Sequence, residues 1–265
     1  MLERIVHDNG VVTYRSARLA ACGVTHGFST RIGGVSEGLY RSLNLATLEK
    51  SDQTDYNTSV AENFRRFRRA LGCEKYVRCE AKQVHGTTVW VPPAKPTKPG
   101  EAPEADALVT DHVGKLLTVR VADCVPILMS ASDGSVVAAV HAGWRGLVAG
   151  VIGETLRVLE ARFDVAPHDV RVAVGPAISV DHFAVDEDVA EQFIKAGLGQ
   201  AVDRRFGEKP HVNLPEAALL QLIDAGVPAS HVDSTDRCTY RDEDEFFSHR
   251  RDEGRTGRHA AVIAI

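Results

Sequence analysis

Two imidazoles and one thiol stand in distinctive company along this sequence. His85 lies in Lys82-Gln83-Val84-His85-Gly86, Cys124 in Ala122-Asp123-Cys124-Val125-Pro126, and His141 in His141-Ala142-Gly143-Trp144-Arg145-Gly146. Each closes an apolar segment and enters a run of small, glycine-rich or charged residues. Two imidazoles and a thiolate fill three corners of a tetrahedral zinc ion and leave the fourth for water or substrate, whereas a structural site closes with four protein ligands. The spacing is too wide to be a fixed-interval motif of the C-x-x-C kind, so the residues alone leave other readings open. Cys124 could be a nucleophile, with His141 or His85 as its base and Asp123 nearby. The ion could be structural, in a protein with no chemistry of its own. Copper also takes histidine and cysteine, often with a weak axial methionine. The chain offers only Met1 and Met129, and none of its eleven histidines stands two residues from another, which disfavours a multicopper cluster.

Arginines accompany the donors. Arg145 sits four residues after His141 in a glycine-bounded loop opening a helix, Arg250 and Arg251 follow Phe246-Phe247-Ser248-His249, and Arg31 begins a glycine-rich loop, residues 29–38. Guanidinium forks bind phosphate or carboxylate bidentately. For any single arginine, pairing with one of the 36 acidic residues is the simpler account. A zinc-bound water beside an anion site favours hydrolysis or phosphorolysis of a small polar substrate.

The elements that must position these groups alternate. Residues 11–28 read as strand material broken at Cys22-Gly23. A helix is predicted from about 59 to 71, with Ser59 and Glu62 as a capping box and Val60, Phe64, Phe67 and Leu71 on one face. Its four arginines lie largely off that face, as on a solvated helix. Strands are predicted over 116–121, 136–140, 170–174 and 259–265, and helices over 147–163, 186–195 and 215–224. Cys124 and His141 would then lie just past two strand ends, where α/β sheets place ligands. Five prolines between 92 and 103 mark 91–105 as a surface excursion. The donors straddle it, so it reads as a loop inside one domain. The expected fold class is α/β (α+β), with layered mixed β-sheets covered by helices, in a single domain over 1–265.

Composition bounds the rest. A length of 265 residues with 44% hydrophobic content supports a large core. A formal charge of −5 gives no footprint for nucleic acid. The N-terminus lacks the apolar stretch of a signal peptide, and no apolar run approaches the roughly 20 residues a membrane span needs. A reducing cytoplasm is the simplest setting for five scattered cysteines.

Further motifs join the donor runs: His26-Gly27-Phe28-Ser29-Thr30-Arg31, Gly33-Gly34-Val35-Ser36, Ser42-Leu43-Asn44-Leu45, Asp106-Ala107-Leu108-Val109-Thr110, Gly175-Pro176-Ala177-Ile178, Cys238-Thr239-Tyr240, Phe247-Ser248-His249-Arg250-Arg251 and Thr256-Gly257-Arg258. Jointly, and almost end to end, the chain resembles the YfiH/YlmD-like proteins, also called the laccase-domain or multicopper polyphenol oxidoreductase family. The resemblance implies mixed β-sheets covered by helices and a zinc ion on His85, Cys124 and His141. It implies phosphorolysis of adenosine, inosine and methylthioadenosine, and deamination of adenosine, with purine nucleoside and phosphate as small-molecule partners. Some relatives are tied instead to peptidoglycan editing and others to copper-dependent phenol oxidation. On the nucleoside reading, Arg31, Arg145, His249 and Arg250 are candidates to bind substrate or phosphate. Cys124, His141, Asp106 and Asp123 are the catalytic candidates. Zinc deaminases carry a glutamate in His-x-Glu as proton shuttle. None follows His85 or His141, so Asp106, Asp123 and His249 are the candidates for that role. One local departure is 179–183, where the family pattern has a tyrosine near Phe183.

Overall fold

A computed structural model describes residues 1–46, 55–94 and 102–265. In chain order its strands are β1 (Glu3–Val6), β2 (Val12–Arg15), β3 (Thr25–Ser29), β4 (Val77–Cys79), β5 (Val89–Trp90), β6 (Ala107–Thr110), β7 (Lys115–Val121), β8 (Val125–Ala131), β9 (Val137–Ala142), β10 (Val170–Val174), β11 (Val202–Asp203), β12 (His211–Val212), β13 (Val232–Asp233) and β14 (His259–Ala264). The α-helices are α1 (Ala17–Ala21), α2 (Asp55–Ala70), α3 (Trp144–Ala149), α4 (Val151–Phe163), α5 (Glu187–Lys195) and α6 (Leu214–Asp224). The strands form two six-stranded mixed sheets, ordered β1-β2-β3-β14-β7-β4 and β13-β10-β8-β9-β6-β5, and a small β11-β12 ribbon.

Alternation along the strands sets four layers. On β7 and β14, Leu117, Val119, Ala261 and Ile263 pack toward the second sheet, against Leu108, Leu128, Val137, Ala139 and Ala173. Their neighbours Leu116, Ala260, Val262 and Ala264 face the other way, onto Val60, Phe64 and Phe67 of α2. On β8 and β9, Val125, Ile127, Met129, Ala138, Val140 and Ala142 turn outward onto α4 and α6. The order is helix, sheet, sheet, helix. Strands buried on both faces read as nearly continuous apolar runs, as β8, β9 and β14 do. The first sheet holds both β1 and β14, so chain start and chain end share one layer. This is the layered mixed-sheet fold the sequence leads one to expect.

Three local expectations are corrected. The helix expected from 59 begins at Asp55, so Ser59 sits inside α2 and is no cap. The helix expected over 147–163 is two helices, because Gly150 adopts a left-handed conformation (φ 86°) that ends α3 and starts α4. The segment 11–28 is not all strand: Ser16 accepts from Leu19 N and starts the short helix α1. Within the proline-rich excursion, residues 95–101 lie outside the described residues. The strands on either side of it pair in parallel, Val89 with Ala107.

Candidate metal centre

The chain passes from the first sheet to the second at Ala122-Asp123-Cys124, between β7 and β8. Asp123 makes the turn with φ 85°, a conformation rare for a residue with a side chain. β8 pairs antiparallel with β9, Pro126 opposite His141, so Cys124 at the start of one strand and His141 near the end of the other share one end of the sheet. His141 is thus inside β9, not beyond it, and its strand partner is β8. The third donor arrives on the loop between β4 and β5, where His85 also takes a positive φ of 61°.

The three donor atoms lie within 4.8 Å of one another. Cys124 Sγ is 3.9 Å from His85 Nε2, and the two imidazoles meet edge to face with centroids 4.8 Å apart. A tetrahedral zinc ion with Zn–S ~2.3 Å and Zn–N ~2.0–2.1 Å sets its donors roughly 3.4–3.6 Å apart, so the trio would draw together by about 1.5 Å or less to close on an ion. Gly143 leaves room for it: a Cβ there would come 2.7 Å from His85 Cδ2 and 3.2 Å from Cys124 Sγ. His141 is buried, Cys124 half-buried and His85 exposed, which leaves the trio open on one side.

Asp106, fully buried just before β6, organises two of the donors. Its Oδ1 accepts from His141 Nδ1 at 2.7 Å and from His85 N at 2.9 Å, and its Oδ2 accepts from Gly86 N and Val84 N at 2.7 and 3.1 Å. Its backbone carbonyl also accepts from His141 N at 2.7 Å. A proton on His141 Nδ1 directs the Nε2 lone pair to the metal, which is how such carboxylates set the tautomer of a metal-bound histidine. Burial opposes ionisation of Cys124, but His141 and then His85 override it and draw the thiol down to about 6. Burial likewise opposes charge on His141, yet Cys124 and Asp106 raise it to about 9. Without metal the pair is a thiolate beside an imidazolium.

The trio opens into a cavity of about 560 Å³ lined by His85, Cys124, Trp144, Arg145, Phe183, Asp186, Lys209, His249 and Arg250, among others. Arg145 stacks on Trp144 at 4.3 Å and Arg250 on Phe183 at 4.8 Å. Arg250 also donates from Nη1 to Ala184 O at 2.8 Å. Neither guanidinium has a carboxylate partner among the described residues. Burial, and next Arg258, hold His249 below its ordinary value.

Sequence-level candidates are thereby sorted. His85, Cys124, Arg145, His249 and Arg250 line this cavity, and the buried His141 joins His85 and Cys124 in the trio. Arg31 does not: it lines a separate groove with Arg41 and Glu243, where Nε donates to Arg41 O and Nη1 to Glu243 O. The glycines after it serve chain packing, since a Cβ on Gly33 would strike the Gly10-Val11 backbone and one on Gly34 the Ser42-Leu43 backbone. Asp106 and Asp123 are poor proton shuttles because their oxygens are committed. Asp123 accepts from Thr239 Oγ1 at 2.6 Å, Ser248 Oγ at 3.0 Å and Arg250 N at 2.7 Å. Asp186 and Lys209 had no sequence signal at all; only the fold brings them to this cavity.

A family model described as "Multi-copper polyphenol oxidoreductase laccase" matches residues 25–265. The chain belongs to this family. Within it, the chain is 41% identical over 256 residues to a Deinococcus radiodurans protein named purine nucleoside phosphorylase, covering 97% of this chain and 94% of that one. It is 38% identical over 257 residues to purine nucleoside phosphorylase YlmD of Geobacillus stearothermophilus, covering 91% and 90%. The crystal structure of YlmD from Geobacillus stearothermophilus superposes with a TM-score of 0.83 at 34% identity, covering 96% of both chains. The laccase-family fold is therefore shared along nearly the whole length. Among the described residues, which include all eleven histidines, this member has one three-donor cluster, and no helix is long and apolar enough to cross a membrane.

Proposed function

We propose that residues 1–265 act as one zinc-dependent purine nucleoside enzyme that cleaves adenosine, inosine and methylthioadenosine by phosphorolysis and deaminates adenosine. One observation carries the reading: a His-Cys-His trio with an open side faces a cavity that also presents Arg145 and Arg250, two guanidinium groups without carboxylate partners among the described residues. Full-length relatives named purine nucleoside phosphorylase support it. Zinc suits two nitrogen donors and one sulfur with a free fourth position, and the single cluster among the described residues offers a place for one ion rather than several coppers. Zinc held there would supply Lewis acidity and an acidified water.

The chain's own groups do the remaining work. Asp106 keeps His141 Nε2 and the His85 loop aimed at one point. Arg145 and Arg250, splinted on Trp144 and Phe183, hold phosphate by charge-assisted hydrogen bonds next to the ribose C1′. As the glycosidic bond breaks, positive charge grows on the sugar and the bound phosphate meets it. Trp144, Phe183 and Val185 exclude water around the base. His249, poised to be neutral near pH 7, is the group left to move a proton. A reducing cytoplasm is the compartment assumed, and five unpaired cysteines suit it.

Zinc-loaded protein incubated with adenosine should yield adenine only when phosphate is present and inosine without it. Absence of all three products (adenine, inosine and hypoxanthine) overturns the reading. A second reading has its own observation: Cys124, His141 and Asp106 also stand in the order of a nucleophile, base and orienting carboxylate. It makes the protein a cysteine amidase, such as a peptidoglycan-editing hydrolase. Cys124→Ser separates the two: joint loss of zinc and nucleoside turnover supports the metal enzyme, while retained zinc with lost amide hydrolysis supports the nucleophile.

A further inference from the structure

The nucleoside reading leaves the acidic group on the cavity rim without a role. Asp186 lines the rim, with a side chain 73% exposed. It occupies the N-cap of α5 with extended backbone (φ −78°, ψ 159°), yet its side chain makes no capping bond. An aspartate there ordinarily accepts from a backbone amide of the first turn. Instead its Oδ1 accepts from Lys209 Nζ at 2.8 Å, and nothing else among the described residues engages the carboxylate.

The chemistry of the other lining groups sharpens the point. Arg145, Lys209 and Arg250 can only donate. Asp123 has its two oxygens taken by Thr239, Ser248 and the Arg250 amide. His85 belongs to the metal trio. Asp186 is therefore the one carboxylate on this cavity, among the described residues, with lone pairs to spare. A ribonucleoside brings two adjacent hydroxyls, each needing an acceptor. We infer that Asp186 accepts the ribose 2′- and 3′-hydroxyls, with Lys209 fixing the carboxylate, and so selects ribonucleosides over 2′-deoxyribonucleosides. The assignment rests on the purine nucleoside reading above.

A site that hydrogen-bonds a substrate hydroxyl rejects the analogue lacking it, because the polar group that the ligand covers is left unpaired. A hydrogen bond to a charged acceptor corresponds to roughly a ten- to hundredfold preference. The test uses the zinc-loaded full chain with inosine and 2′-deoxyinosine. Binding is measured by calorimetry without phosphate and turnover with it. The wild-type protein should prefer inosine by about that factor in both, and Asp186→Ala should bring the two ligands to within about threefold. Because Asp186 makes no capping bond, the variant keeps α5 intact, and its melting temperature should match wild type. A wild-type preference that Asp186→Ala leaves unchanged overturns this assignment alone. A wild-type protein that neither binds nor turns over inosine overturns the nucleoside reading with it.

Discussion

The buried Asp106 carboxylate meets the His141 imidazole at 2.7 Å, Oδ1 to Nδ1, and with its remaining capacity holds the amides of Val84, His85 and Gly86. One side chain thus sets two ligands that are far apart in sequence. Asp106→Asn should lower zinc affinity by about 10–100-fold, the usual effect of losing such a partner. Competition with a chromophoric chelator measures it. Wild-type affinity in the variant would show that the carboxylate does not organise the donors.

Gly143 is the N-cap of α3, with φ −74° and ψ 168°, a backbone that alanine adopts freely. Its hydrogen faces the donors, and a methyl in its place would sit 2.7 Å from His85 Cδ2. Gly143→Ala should therefore abolish stoichiometric zinc binding and nucleoside turnover while shifting the melting temperature by no more than a few degrees, as a change of about 1 kcal/mol would. Metal analysis beside a thermal melt distinguishes this from general destabilisation, in which both would fall together.

Zinc uptake should be steeply pH-dependent. With Cys124 drawn down to about 6 and His141 raised to about 9, the metal-free pair carries one proton between those values and two below them. Zinc needs these two donors bare, and His85 with them. Its apparent affinity should rise at least tenfold per pH unit from about 6 to 9, more steeply below 6, and level off above 9. Calorimetry in buffers of different ionisation enthalpy counts the displaced protons. Release of none at pH 7.5 would rule out the thiolate–imidazolium pair.

Asp123 makes a left-handed turn, precedes Cys124, and anchors the Thr239, Ser248 and Arg250 segments. Asp123→Ala strands two buried hydroxyls and the part-buried Arg250 amide and should cost on the order of 3 kcal/mol, read as a lower urea midpoint. It should also raise the KM for phosphate more than it lowers kcat, since Arg250 loses its tether. Equal effects on both would detach Asp123 from phosphate binding.

How far these relationships were legible varies with their range. The donor trio showed itself because histidine and cysteine beside glycine at strand ends are chemically conspicuous. The layers were legible because doubly buried strands such as β8 have no polar face. Asp106 was visible only as an acid before an apolar run; that its partners come from the His85 loop and from β9 is a property of the folded pairing. Arg31 misled because a glycine-rich loop with an arginine looks alike whether its glycines admit a ligand or, as Gly33 and Gly34 do, another stretch of backbone. Asp186 and Lys209 were invisible because an exposed ion pair across 23 residues leaves no periodic trace.

β14 has a consequence for how the molecule comes into being. It lies between β3 and β7, bonded to both, although those two are made long before it. During synthesis they have no partner for the edges they will share, and each presents open amides and carbonyls of the kind that invite wrong pairing. The first sheet can close only when residues 259–264 leave the ribosome, so a nascent chain halted before His259 is expected to be captured by chaperones rather than fold.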